Sequence, residues 1–124
     1  MIIGTGIDMV EVDRIAERIN GSSGFKEKVF AKAEIRFCDS KQNKAEHYAA
    51  RFAAKEAFLK ATGLGLLAGL ALSDIEIYSD AHGKPGIKLH GDFQKQATEN
   101  NWTKIHVSLS HTTTMACASV IIEQ

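Results

Sequence analysis

Only one proline, Pro85, and two cysteines, Cys38 and Cys117, occur among the 124 residues of the chain. So little cysteine excludes a small scaffold stapled by disulfides. The two lie far apart and have no Cys-x-x-Cys or Cys/His ligand spacing, which excludes a structural zinc site. Both read as reduced thiols of a cytoplasmic protein, with Cys117 buried in the apolar run from Met115 to Ile122. No apolar stretch approaches the roughly 18 residues needed to span a bilayer. Asp8 also interrupts the first apolar residues too early for a signal peptide, so no membrane partner is expected. Net charge is absent as well: 15 Lys and Arg balance 15 Asp and Glu. That leaves no whole-molecule grip on nucleic acid. There are no internal repeats, low-complexity runs or Pro-rich linkers. With 44% hydrophobic and 24% charged residues, the composition is globular, and the length accommodates one domain, residues 1–124.

The charge balance conceals an asymmetry. Between Asp13 and Lys60 there are eleven basic and seven acidic residues, against four and eight in the remainder. Either this segment is a solvated helical face, or it meets an acidic partner or a phosphate.

Hydrophobic periodicity places the elements. Ile2 to Val10 is β-branched and reads as a buried strand. Val12, Ile15, Ala16 and Ile19 follow a helical repeat that Asn20-Gly21 ends. Phe25 to Cys38 holds one or two short helical pieces. The longest helix is expected from about Lys44 to Ala61, with Asn43 and Glu46 as an Asn version of the capping box. Its apolar stripe is Ala45, Tyr48, Ala49, Phe52, Ala53 and Leu59. Strands are expected around Ile75–Ile77, Ile87–Leu89, Ile105–Leu109 and Ala116–Ile122, the last two as a hairpin, with a short helix from Asp92 to about Asn100. The expected class is α+β, a mainly antiparallel sheet packed on one long helix plus shorter helices.

Chemistry-bearing residues are few. Asp8 interrupts an apolar strand; it either reaches solvent, caps the next helix, or serves a site, since an unpaired buried charge is costly. Glu56 stands at the edge of the apolar stripe with Lys60 at i+4, which is a surface ion pair or part of a site. Arg51 and Lys55 form a second cationic row on that helix. Two carboxylates on separate elements beside a lysine suit Mg²⁺ with a phosphate, because Mg²⁺ takes one or two carboxylates, waters and phosphate oxygens. Gly63, Gly65 and Gly69 follow a helix and so cannot offer its N-terminus to an anion. Ser108-Leu109-Ser110-His111-Thr112 suits phosphate or ribose binding, or half of a Ser/His hydrolase lacking its Gly-x-Ser-x-Gly elbow. Histidines 47, 82, 90 and 106 read as surface residues.

Taken in order, these segments resemble the holo-[acyl-carrier-protein] synthases, the small bacterial 4′-phosphopantetheinyl transferases. The resemblance rests on Gly6-Ile7-Asp8-Met9-Val10 through Arg14, on Arg51-Phe52-Ala53-Ala54-Lys55-Glu56-Ala57-Phe58-Leu59-Lys60-Ala61 followed by Gly63-Leu64-Gly65, on Gly83-Lys84-Pro85, on Val107-Ser108-Leu109-Ser110-His111, and on Ala116 to Ile122. It implies transfer of the 4′-phosphopantetheine of coenzyme A to a serine of acyl carrier protein, with release of adenosine 3′,5′-bisphosphate. It further implies Asp8 and Glu56 as Mg²⁺ ligands and catalytic residues, and Lys60 as a catalytic residue facing the diphosphate. The serine proton would pass to Asp8 through a metal-bound water or to a nearby carboxylate. Gly63, Gly65, Lys84, Pro85, Ser110, His111 and Thr112 would surround coenzyme A together with Lys60. Arg14 and Arg18 would receive the carrier protein, and relatives of this length are trimers with sites between subunits. Two positions depart from the family pattern: Leu59, where a small residue or serine is common, and Thr114-Met115, where an aromatic is common. The rival reading from another class is a non-catalytic module that binds coenzyme A or a carrier protein.

Overall fold

The first strand, β1 (Ile2–Glu11), shows how the chain is packed. In this computed structural model, which describes residues 1–64 and 70–124, Gly4, Gly6, Asp8 and Val10 turn inward. Ile3, Ile7 and Met9 turn outward and are 42%, 69% and 67% exposed. Within the single chain the expectation of a buried strand therefore holds for one face only. Successive side chains of a strand point to opposite faces, and here only one face of β1 is covered.

Four helical segments follow in chain order: α1 (Val12–Asn20), α2 (Phe25–Val29), α3 (Lys32–Asp39) and α4 (Lys44–Thr62). A 3₁₀ turn at Leu72–Asp74 leads into β2 (Ile75–Ser79) and β3 (Pro85–Leu89), then α5 (Gly91–Glu99), β4 (Lys104–His111) and β5 (Met115–Glu123). Among the described residues the strands form two antiparallel sheets, β1-β5-β4 and β2-β3. This is the expected α+β class, with the hairpin of β4 and β5 as anticipated. Between Phe25 and Cys38 there are two short helices. No helix among the described residues is long and apolar enough to cross a membrane.

The long helix α4 lies across the inner face of β1 and β5, and small residues let it approach closely. A Cβ placed on Gly6 would lie 1.9 Å from the carbonyl oxygen of Ala57, and one on Gly4 the same distance from that of Ala61. Two glycines at the strand period thus meet two alanines at the helix period. The sequence reading passed over this role. Gly6→Ala is expected to cost about 1–3 kcal/mol by overpacking, read as a lower midpoint in urea denaturation at unchanged slope.

Two local expectations for α4 are corrected. Asn43 has φ −98° and ψ 51° and makes no side-chain cap hydrogen bond; Glu46 instead pairs with Nδ1 of His111 at 3.0 Å. Nor does α4 bury a single stripe. Tyr48 to Arg51, Ala53 to Lys55, Ala57 to Leu59 and Ala61 are all buried, because the sheet covers one side and α1, α3 and β2 cover others. Phe52, Glu56 and Lys60, four apart, form the line left open along the middle of the helix. Leu59 is buried in the core, so its larger side chain is absorbed by packing. Gly63, with φ +71°, ends the helix in the left-handed conformation that glycine adopts without strain.

Candidate active site

The close contact of β1 with α4 brings Asp8 next to the open line of the helix. Lys60 Nζ donates to Asp8 Oδ1 at 2.9 Å and to the Ile7 carbonyl at 2.9 Å. The lysine therefore turns to the strand rather than along its own helix to Glu56. Asp8 caps nothing, since α1 begins behind Glu11. Glu56 is half-buried; its carboxyl is held above the ordinary range, first by burial and then by the charge of Asp8, with Lys60 opposing. Two carboxylates whose repulsion one lysine only partly offsets suit a further cation. Among the described residues no three His, Cys, Asp or Glu gather into an all-protein cage. Two carboxylates are donors of the kind Mg²⁺ takes, with water and phosphate oxygens to complete its shell.

A cleft of about 640 Å³ lies elsewhere on the surface, and neither Asp8, Glu56 nor Lys60 lines it. Its walls are Phe37 on α3 and Lys41 just after it, His47, Ala50 and Arg51 on α4, Ser79, Asp80, Ala81, Gly83, Lys84 and Pro85 of the β2–β3 hairpin, and Val107, Ser108, Leu109 and His111 on β4. Lys84, Pro85 and His111 of the expected coenzyme A residues are here. Asp80 shapes the turn by accepting the backbone N–H of His82 and of Lys84 at 2.8 and 2.9 Å. The structure adds residues that the sequence reading missed. Arg51 is buried with its guanidinium 4.1 Å from the Phe37 ring centre, and its Nε has no hydrogen-bond partner among the described residues. His47 lies between Phe37 and His111, with ring centres 5.7 and 5.4 Å away. Burial and the Arg51 charge hold its imidazole below the usual range, and it is a half-buried wall of the cleft rather than a fully exposed residue. A buried guanidinium beside Lys41 and Lys84 makes this cleft a place for an anion.

The cationic row of Arg51 and Lys55 is thus corrected: both are buried. Lys55 is paired with Glu34 at 2.8 Å, and neither side chain is exposed. The signal was available in the alanines at 49, 50, 53, 54, 57 and 61, which permit close packing on several sides of one helix.

The remaining expected residues are dispersed. Ser110 is exposed on the outer sheet face, in register with Cys117, which is half-buried and not fully buried as expected. Thr112 Oγ1 accepts the N–H groups of Thr114 and Met115 at 3.3 and 3.1 Å, so it builds the turn between β4 and β5. Thr114 secures that turn to α1 by accepting the Val12 N–H at 2.9 Å. Gly63 caps α4, and Gly65 and Gly69 lie outside the described residues. Arg14 and Arg18 are both exposed on α1, and the Arg18 guanidinium lies 5.5 Å from the ring centre of Phe25. His82 and His106 are exposed as expected, whereas His90 is half-buried and pairs with Glu76 at 2.9 Å.

A profile of the 4′-phosphopantetheinyl transferase superfamily matches residues 4–118, and the chain belongs to that superfamily. The curated holo-[acyl-carrier-protein] synthase of Geobacter sulfurreducens is 46% identical over 127 aligned positions, covering 100% of this chain and 99% of the relative. The crystal structure of holo-[acyl-carrier-protein] synthase from Neisseria meningitidis superimposes with a TM-score of 0.90 at 30% identity over 100% of both chains. That from Helicobacter pylori in complex with coenzyme A superimposes with a TM-score of 0.84 at 29% identity, covering 96% of this chain and 99% of the other. Within the superfamily, this chain is a member of the holo-[acyl-carrier-protein] synthase family.

Proposed function

We infer that the chain transfers the 4′-phosphopantetheine group from coenzyme A to a serine of apo acyl carrier protein and releases adenosine 3′,5′-bisphosphate. The observation that carries this reading is the joining of Asp8, Glu56 and Lys60 by the β1–α4 contact, in a chain matched along its length to named synthases. A passive binder has no need of paired carboxylates beside a lysine.

In this reading Asp8 and Glu56 hold Mg²⁺, which when bound polarises the diphosphate and neutralises part of its charge. The serine oxygen forms a bond to the phosphorus that carries pantetheine, and the bond from that phosphorus to the bridging oxygen breaks. Lys60 stabilises the charge that develops on the departing phosphate, and a base at this site takes the serine proton. Most of the rate enhancement comes from positioning and electrostatics. Lys84, Pro85 and His111, with Arg51 added, receive the nucleotide. Gly63 ends α4, Ser110 lies on the outer sheet face and Thr112 builds the β4–β5 turn, while Gly65 lies outside the described residues. Arg14 and Arg18, exposed on the basic segment, receive the acidic carrier protein.

The working unit is a homotrimer of single-domain chains, with sites between subunits. Two observations support it. Ile3, Ile7, Met9 and Ile121 leave an apolar patch on the outer sheet face, and the carboxylate pair does not line the cationic cleft of its own chain. Ile7→Asp is expected to turn an assembly of three 13.5 kDa chains into monomers in light-scattering chromatography. A monomeric wild type would remove the proposal. Cytoplasmic fatty acid and lipid synthesis is the setting this activity serves.

The deciding experiment is intact mass spectrometry of apo acyl carrier protein incubated with this protein, coenzyme A and Mg²⁺. The expected result is a gain of one phosphopantetheine that disappears with EDTA and with Asp8→Ala. Bound coenzyme A without any mass gain would indicate the binding module instead.

A further inference from the structure

The cationic cleft draws walls from α3, α4 and the β2–β3 hairpin, and one buried polar network lies beneath all three. Glu34 is one helical turn before Phe37 on α3, and Lys55 is one turn after Arg51 on α4. Ile77 is two residues before Ser79 on β2. Each network residue therefore shares a face of its element with a residue of the cleft wall.

The network leaves little freedom. Lys55 Nζ uses its three donors on Glu34 Oε1 at 2.8 Å, the Leu72 carbonyl at 3.0 Å and the Ile75 carbonyl. Glu34 Oε1 also accepts the Ala31 N–H at 2.8 Å, and Glu34 Oε2 accepts the Ile77 N–H at 3.1 Å. One ion pair thus joins the start of α3, the middle of α4, the 3₁₀ turn and β2. A hydrophobic pair of similar volume often holds a core as well as a buried ion pair does. What it lacks is direction: it cannot fix the carbonyl of Ile75 and the N–H of Ile77 at set positions. The hairpin carries this constraint to the cleft, because β2 and β3 are paired from Ile75–Leu89 to Ser79–Pro85 and Asp80 closes the turn.

We propose that Glu34 and Lys55 are positioning residues that set the β2–β3 hairpin against α3 and α4 and thereby shape the nucleotide cleft. Neither touches the ligand; both act through Lys84 and the turn that holds it. The proposal rests on the reading of this cleft as the nucleotide site.

The test uses adenosine 3′,5′-bisphosphate as the probe in isothermal titration calorimetry. Lys84→Ala comes first: if it leaves the wild-type affinity unchanged, the cleft has been misassigned and the proposal falls with it. If Lys84→Ala weakens binding, the double variant Glu34→Gln/Lys55→Met, which leaves no buried charge unpaired, is compared with wild type. The expected result is a Kd and a KM for coenzyme A about tenfold higher, with kcat and the KM for carrier protein changed less than about threefold. A folded double variant with wild-type nucleotide affinity overturns the proposal. So does a fall in kcat at unchanged affinity, which places the effect at neighbouring Glu56. If the double variant does not fold, hydrogen exchange of wild type decides. By reciprocity, bound nucleotide should slow exchange of the Ile77 amide by about tenfold. Unchanged exchange there overturns the proposal.

Discussion

Asp8→Asn and Glu56→Gln, made singly, are each expected to lower kcat by roughly 10²- to 10³-fold, the loss typical when one preorganised electrostatic group is removed from a transition state. Both substitutions keep the shape of the side chain, and both sites are only partly covered. The melting temperature should therefore move by no more than about 3 °C. The two effects should not multiply. In the proposed reading Asp8 and Glu56 act as one unit around one cation, so the double variant should be little worse than the poorer single. EDTA should likewise remove little further activity from either variant. Steady-state rates with saturating coenzyme A, taken alongside thermal melts, check all of this. A loss below about tenfold with an intact fold would remove the carboxylates from the catalytic machinery. The same experiment sharpens the role of Lys60. It is 55% exposed at its side chain while its partner Asp8 is 17% exposed, so its pairing is weak in stability terms and its worth lies in the charge it presents.

The largest stability loss is expected from separating Glu34 and Lys55. Lys55→Met leaves a carboxylate with no exposure and no counter-charge, at a cost of about 3–5 kcal/mol. The loss should depend on pH in a definite sense. Burial already holds the Glu34 carboxyl above the ordinary range, with Lys55 as the leading opposing influence. Without the lysine its folded-state pKa rises further. A group that binds its proton more tightly when folded gives stability that falls as pH rises. The deficit of Lys55→Met relative to wild type should therefore shrink as the pH is lowered from about 8 to about 5. Urea denaturation at both pH values checks the sign. A deficit independent of pH would mean that Glu34 finds another partner or reaches water.

Much of the fold was legible in the sequence. Strand and helix types followed from alternation and from the 3.6-residue repeat, and both are properties of segments a few residues long. Asp8 and Glu56 were legible for a related reason: each is a carboxylate set against its local apolar pattern. Arg51 and Lys55 misled for the opposite reason. Four apart on a helix, they match the ordinary pattern of an exposed cationic row, and nothing local distinguishes that from two buried cations. His47 was misread in the same way, because its neighbours Phe37 and His111 lie 10 and 64 positions away. The glycines of β1 were read as strand residues, though their importance is the absence of a side chain facing Ala57 and Ala61.

By itself, then, the sequence determined the kinds of elements, their order, the family pattern and the two carboxylates that depart from their surroundings. Tertiary structure alone decided which charges are buried, which helix faces are covered, and which residues share a site. The physical reason is one of range. Periodicity is set by backbone geometry within a segment, whereas burial is set by whatever segment packs against it. Here the segments that enclose α4 come from residues 2–20, 32–39, 75–79, 104–111 and 115–123, and only the folded chain brings them together.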